Sequence, residues 1–156
     1  MTALVTAAKS TQMTNLTLQS PTLLNPYESR GKLRYFFFDF TAASALSDGD
    51  IIELVKVPAG RLLPESKLYH SAMGASRTMD VGYQEHKPNN GTNATVDPDI
   101  DAFKDGVDVS SAGNFELDVN TQGYDLTGQA VLLAKIIGGT FPAAGTLHGH
   151  LKMVVE

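Results

Sequence analysis

Residues 129–156 read QAVLLAKIIGGTFPAAGTLHGHLKMVVE, and this stretch decides the fold. Two β-rich runs, Ala130 to Ile137 and Thr146 to Val155, flank a Gly-Gly-Thr-Phe-Pro-Ala-Ala-Gly connection. In the second run Leu147, Gly149, Leu151, Met153 and Val155 alternate with His148, His150 and Lys152. That is the period of two of a strand with one apolar face. A sequence that closes on a sheet strand is expected to have no catalytic loop after it. Function is then expected on surfaces and at the other end of the chain.

Working outward, the same grammar repeats. Lys32 to Phe40 is a strand, with Arg34, Phe36, Phe38 and Phe40 on one face and Tyr35, Phe37 and Asp39 on the other. Aromatics on both faces predict a central strand covered on both sides. Ser47-Asp48-Gly49-Asp50 is a turn signal, and Ile51 to Val57 is the next strand, ended by Pro58-Ala59-Gly60. Short strands follow at Arg61 to Leu63 and Lys67 to His70, around Pro64, and a longer one at Thr78 to Gln84. Residues 85–99 read as a polar loop with Asn90-Gly91 as a tight turn. Ile100 to Val109 is the one expected helix, of one or two turns, with Asp99 as its cap and Ile100, Phe103 and Val107 inward. Phe115 to Val119 is a strand and Tyr124 to Thr127 a bend. About eight short strands parted by Gly, Pro, Asp and Asn predict an all-β, antiparallel β-sandwich or barrel. No period of repeat-protein length recurs.

Residues 1–30 differ from the body at 31–156. Between Met1 and Tyr27 the only charged side chain is Lys9, threonine recurs, and Pro21 and Pro26 interrupt. Threonines and prolines disfavour a helix. The segment reads as an extended N-terminal arm, with a disordered tail as the competing reading. Low charge and scattered leucines favour an arm that orders against a partner. Leu16, Leu18, Leu23, Leu24 and Tyr27 are its candidate apolar anchors. Stretched out, an arm of this length reaches about 100 Å, against a radius of gyration of roughly 15 Å for a body of this size.

Composition narrows the functions. The 156 residues fit one domain, long enough to bury a core without staples. There is no cysteine, which excludes disulfides, thiolate metal sites and cysteine nucleophiles. A net charge of −5 argues against a non-specific nucleic-acid binder. Charged residues are only 19% of the chain, and small polar residues fill the gap, which suits extended protein contacts. No apolar run approaches the roughly 20 residues of a membrane span. The N-terminus lacks the basic start and apolar centre of a signal peptide, so a soluble, non-secreted chain is expected.

The chemistry-bearing patterns are weak. His148-Gly149-His150 puts two imidazoles on one strand face, and Glu156 lies six beyond His150. The Glu spacing is long and no histidine follows, so both histidines are expected on a solvent or interface face, with no metal. Asp97, Asp99 and Asp101 imitate the first ligands of a calcium loop, but Ala102 stands where Gly is needed and Asp108 where a bidentate Glu is needed. A solvated acidic loop is the simpler reading. Arg77 beside Asp80 reads as a structural pair or a subunit contact. Nucleophile-elbow and phosphate-binding glycine motifs are absent. No cofactor and no catalytic residue are expected.

The runs DGDIIELVKVPAGRLLPES (48–66), ASRTMDVGYQE (75–85), DAFKDGVDVSSAG (101–113) and AKIIGGTFPAAGTLHGHLKMVV (134–155) resemble a group of small tailed-bacteriophage virion proteins. These are capsid decoration, or cement, proteins with a jelly-roll-like body. The resemblance covers residues 31–156 and least of all the arm. It implies a non-enzymatic protein on the exterior of an icosahedral capsid in the virion, assembled in the bacterial host cytoplasm. It would bridge neighbouring copies of a major capsid protein and associate with itself, as a homotrimer in preference to a homodimer, with no nucleic acid or membrane as partner. The alternatives are a tail, neck or fibre-associated virion module, and a carbohydrate-binding jelly roll. The last needs an exposed aromatic platform. Tryptophan is absent, and the aromatics concentrate in the strand at 35–40, expected to be covered.

Overall fold

A computed structural model describes residues 31–89, 92–95 and 97–155. The arm expected at 1–30, with Leu16, Leu18, Leu23, Leu24 and Tyr27, lies outside the described residues. Eleven strands occur among those described: β1 (Lys32–Thr41), β2 (Ile51–Val57), β3 (Gly60–Leu62), β4 (Lys67–His70), β5 (Thr78–Asn89), β6 (Thr92–Thr95), β7 (Asp99–Asp108), β8 (Gly113–Glu116), β9 (Tyr124–Leu126), β10 (Gln129–Ile137) and β11 (Thr146–Val155). No helix occurs among the described residues, so none is long and apolar enough to cross a membrane.

The strands form two antiparallel sheets. In the first, β11 is central: β1 pairs along one side, and β4 and β3 share the other, with β8 beyond β4 and β9 beyond β3. In the second, β10 lies between β2 and β5, and β6 and β7 share the far side of β5. The pairings are nested: β1 with β11, β2 with β10, β3 with β9, β4 with β8 and β5 with β7. This is a long hairpin rolled onto itself, the jelly-roll winding that manages sheet edges by stacking two sheets. The expected Gly-Gly-Thr-Phe-Pro-Ala-Ala-Gly connection carries the chain from the second sheet to the first. Phe141 at its centre is fully buried and exchanges two backbone hydrogen bonds of 3.0 Å with Leu46.

One core lies between the sheets. From the first sheet it takes Leu62, Leu68, Leu147, Leu151, Met153 and Val155, and from the second Ile52, Met79, Val81, Leu132, Ala134 and Ile136. The alternation predicted for β11 holds: Leu147, Leu151, Met153 and Val155 are buried on one face, with Gly149 half-buried among them. Among the described residues the buried polar side-chain atoms are satisfied. The Ser66 hydroxyl donates to the Leu63 carbonyl and accepts from the Lys152 amide, tying the β3–β4 corner to β11. Glu85 accepts from both the amide and the hydroxyl of Thr127, linking β5 to the segment after β9.

The helix expected at 100–109 is instead the strand β7. Its apolar residues recur at helical spacing because the strand is irregular. Val81 and Tyr83, two apart on β5, face Lys104 and Asp99, five apart on β7. A second shift lies between Met79 and Val81. Such bulges insert residues on one strand and destroy the period of two. Gly82 permits the close crossing: a Cβ there would lie 1.8 Å from the Asp99 carbonyl oxygen. The polar stretch expected as a loop also pairs. β5 runs on to Asn89, and β6 returns along it from Thr92, opposite Asn89, to Thr95, opposite His86.

Candidate functional site

β1 also departs from the central, doubly covered strand expected, and it defines the site. Among the described residues β1 pairs only with β11, so it is an edge strand, and only one of its faces is covered. The inner face carries Phe36, Phe38 and Phe40, of which Phe38 is buried and the others pack against the core. The outer face carries Leu33, Tyr35 and Phe37, and Phe37 is 74% exposed. A row of large apolar side chains left in water on one face is uncommon and marks a contact or binding surface.

The ladder fixes what stands beside them. Phe37 faces His150 of β11, which faces Lys67 of β4. Asp39 faces His148, which faces Tyr69. Residues directly opposite in an antiparallel ladder share a face, and the two rows are two residues apart along the strands, about 7 Å. The His148 ring lies 5.1 Å from Tyr69 and nearly parallel to it, at 6°. The His150 ring packs beside both Tyr35 and Phe37, at 5.8 and 6.1 Å, while those two rings stack at 6.3 Å. Lys67 Nζ is 5.8 Å from the centre of the Tyr69 ring.

Second contacts hold this face in place. His150 Nε2 is 3.0 Å from the Glu65 carbonyl. A carbonyl only accepts, so Nε2 is the donor in this contact. Lys152 Nζ lies 2.6 Å from the Glu65 carboxylate. This partnership lowers the Glu65 carboxyl from its usual range, by the hydrogen bond and then the charge of Lys152, and raises the Lys152 ammonium through the same hydrogen bond. Between the rows is a shallow open depression of about 480 Å³, walled by Phe37, His150, Asp39, His148 and Tyr69. Phe38 and Gly149 also line it. By alternation their side-chain positions face the core, so they supply main chain to its floor.

The two histidines singled out by the sequence therefore share the outer face, as the alternation implied. Among the described residues no group of three or more His, Asp or Glu side chains is gathered to hold a metal. Asp99 and Asp101, expected as part of an acidic loop, lie within β7. Partial burial and then a hydrogen bond with Asp101 raise the Asp99 carboxyl. Asp108, the last residue of β7, accepts from the Ser110 amide at 2.8 Å, and that contact lowers its carboxyl. Arg77 donates to the Met73 carbonyl, and Asp80 accepts from the Gly106 amide at 2.8 Å. The sequence missed the outward aromatics of β1. The signal was the alternation itself, which separates the faces without saying which of them is covered.

The fold has known counterparts. It is shared with a chain of the capsid of Ralstonia phage GP4, at a TM-score of 0.60 and 21% identity over 80% of this chain and 85% of that one. It is shared also with a chain of the Cyanophage Pam1 capsid asymmetric unit, at a TM-score of 0.61 and 13% identity over 97% of this chain and the whole of the other. At these identities the likeness is one of fold. No family model matches the sequence. No curated protein matches it either.

Proposed function

We propose that this chain is a non-enzymatic structural protein of a tailed-bacteriophage virion. It binds the outer surface of an icosahedral capsid and cements neighbouring major capsid proteins. The observation that carries this reading is the shared fold: two phage-capsid chains match it, one of them over 97% of its length. The sequence resemblance over residues 31–156 points the same way.

Physically, a cement needs a stiff body and a contact that crosses subunit boundaries. The two-sheet body, closed by β1 zipped along ten residues of β11, supplies stiffness. Residues 1–30, with Leu16, Leu18, Leu23, Leu24 and Tyr27, act as the arm that reaches the next capsid subunit. Ordering an arm costs conformational entropy, so each contact is modest. Self-association into a trimer multiplies those contacts through effective concentration. Threonine-rich extended chain is suited to adding a strand to a partner's sheet edge, which needs backbone groups more than particular side chains. The protein then resides on the capsid exterior, assembled in the host cytoplasm.

Co-sedimentation with capsids stripped of this protein tests the reading. The full chain should band with the shells, and a chain lacking residues 2–25 should stay folded and remain at the top of the gradient. A truncated chain that coats shells at full occupancy removes the arm from the mechanism. A full chain that never bands with shells overturns the capsid assignment.

A further inference from the structure

We propose that the slot between the Phe37–His150 and Asp39–His148–Tyr69 rows binds a neutral carbohydrate, one pyranose ring of a polysaccharide. A pyranose has an apolar C–H face and a rim of hydroxyls. It is held by an aromatic wall and by fixed polar groups within one ring's reach. The slot has both. Phe37 is 74% exposed beside it, and His150 extends the apolar wall at 6.1 Å from that ring. The opposite wall is polar: the Asp39 carboxylate accepts from sugar hydroxyls, while His148 and Tyr69 bring an imidazole and a phenol. At about 480 Å³ the depression is in the range of small-ligand sites, which combine apolar lining with few polar groups.

Preorganisation supports the assignment. His150 is held by the Glu65 carbonyl and by Tyr35 and Phe37, and His148 is stacked on Tyr69. Side chains already fixed lose little entropy when a ligand arrives. Charge selects the class of sugar. Asp39 in the wall repels carboxylated or phosphorylated rings, which leaves neutral ones. The objection that the aromatics at 35–40 belong to a covered strand falls away, because Tyr35 and Phe37 stand outside the core.

Saturation-transfer NMR on the full chain tests this with methyl glucoside, galactoside, mannoside and rhamnoside at millimolar concentration, beside methyl glucuronide as an anionic probe. At least one neutral probe should receive transfer at its ring C–H protons, and the glucuronide should not. Phe37→Leu, which keeps apolar bulk but removes the ring, and Asp39→Asn should each weaken the signal at least about tenfold, as loss of a central contact does. Lys104→Ala, distant on β7, should leave it unchanged, as should removal of residues 2–25, which separates this test from that of shell binding. Absence of transfer from every neutral probe overturns the proposal, and so does transfer undiminished in Phe37→Leu and Asp39→Asn. Loss of shell binding in Phe37→Leu with no sugar signal in the parent assigns the face to a protein contact and overturns it equally.

Discussion

Phe38 and Gly149 face each other across the β1–β11 ladder, and the Phe38 ring covers the glycine: a Cβ at 149 would lie 2.9 Å from the ring's Cζ. An aromatic covering a strand glycine stabilises a position that has no side chain of its own to pack. The same imaginary Cβ would sit 2.1 Å from the Lys67 carbonyl oxygen, on the neighbouring strand β4. The β4 backbone and the Phe38 ring therefore close around this residue. Gly149→Ala should destabilise the fold by about 1–3 kcal/mol, the range for overpacking. Urea denaturation should show the midpoint falling with the slope unchanged. Parent-like stability would mean that β4 moves freely against β11.

Phe103 tests the irregular strand β7. Its side chain is 2% exposed, 5.2 Å from Tyr83 and 5.2 Å edge-on from Tyr124. Phe103→Ala should cost about 3–5 kcal/mol, as for other buried aromatics. Hydrogen exchange in the same variant should show β5 and β7 amides losing protection ahead of those of β1 and β11.

Glu85 is a buried carboxylate whose two oxygens accept from the Thr127 amide at 3.0 Å and its hydroxyl at 3.1 Å. Glu85→Ala leaves that amide without its partner and should cost about 1–3 kcal/mol. Glu85→Gln keeps one acceptor oxygen and should cost less. The order Ala above Gln in a denaturant series is the expected outcome, and equal losses would show that packing, not the hydrogen bonds, sets the cost.

The Tyr83 and Tyr124 hydroxyls are hydrogen-bonded to each other. Burial first, and the Tyr124 bond second, push the Tyr83 phenol well above its ordinary value. The folded state therefore resists ionisation at a pH where the unfolded phenol, with its pKa of about 10, has already lost its proton. The stability linked to this group is complete below pH 10 and declines as pH rises above it. Chemical denaturation between neutral and strongly alkaline pH should show that decline, and Tyr83→Phe should flatten it.

Much of this architecture is legible in the sequence. Ile51–Val57, Lys67–His70 and Thr146–Val155 are strands with the bounds expected from the sequence. What escaped did so for physical reasons. Around Phe103, bulges reproduced helical spacing in a strand. Thr92–Thr95 has no apolar residue beyond Ala94, so its place in the sheet comes from backbone pairing with β5, to which periodicity is blind. In β1 the two faces were assigned correctly, but which face lies against the other sheet is a fact of tertiary stacking. The aromatic slot follows from that fact. It was hidden for the same reason, although His148 and His150 were already placed on one face.

The nested winding has a consequence for biosynthesis. β11 is the strand that joins β1, β3 and β4 into one sheet, and the ribosome makes it after all the others described here. Until it emerges from the exit tunnel, Phe36, Phe38 and Phe40 of β1 have no neighbouring strand to dock beside. The first sheet therefore closes only once its last strand is available, in a step dominated by contacts distant in sequence, which is slow relative to local folding. During that interval the unpaired apolar strands of the nascent polypeptide are open to association with those of its siblings.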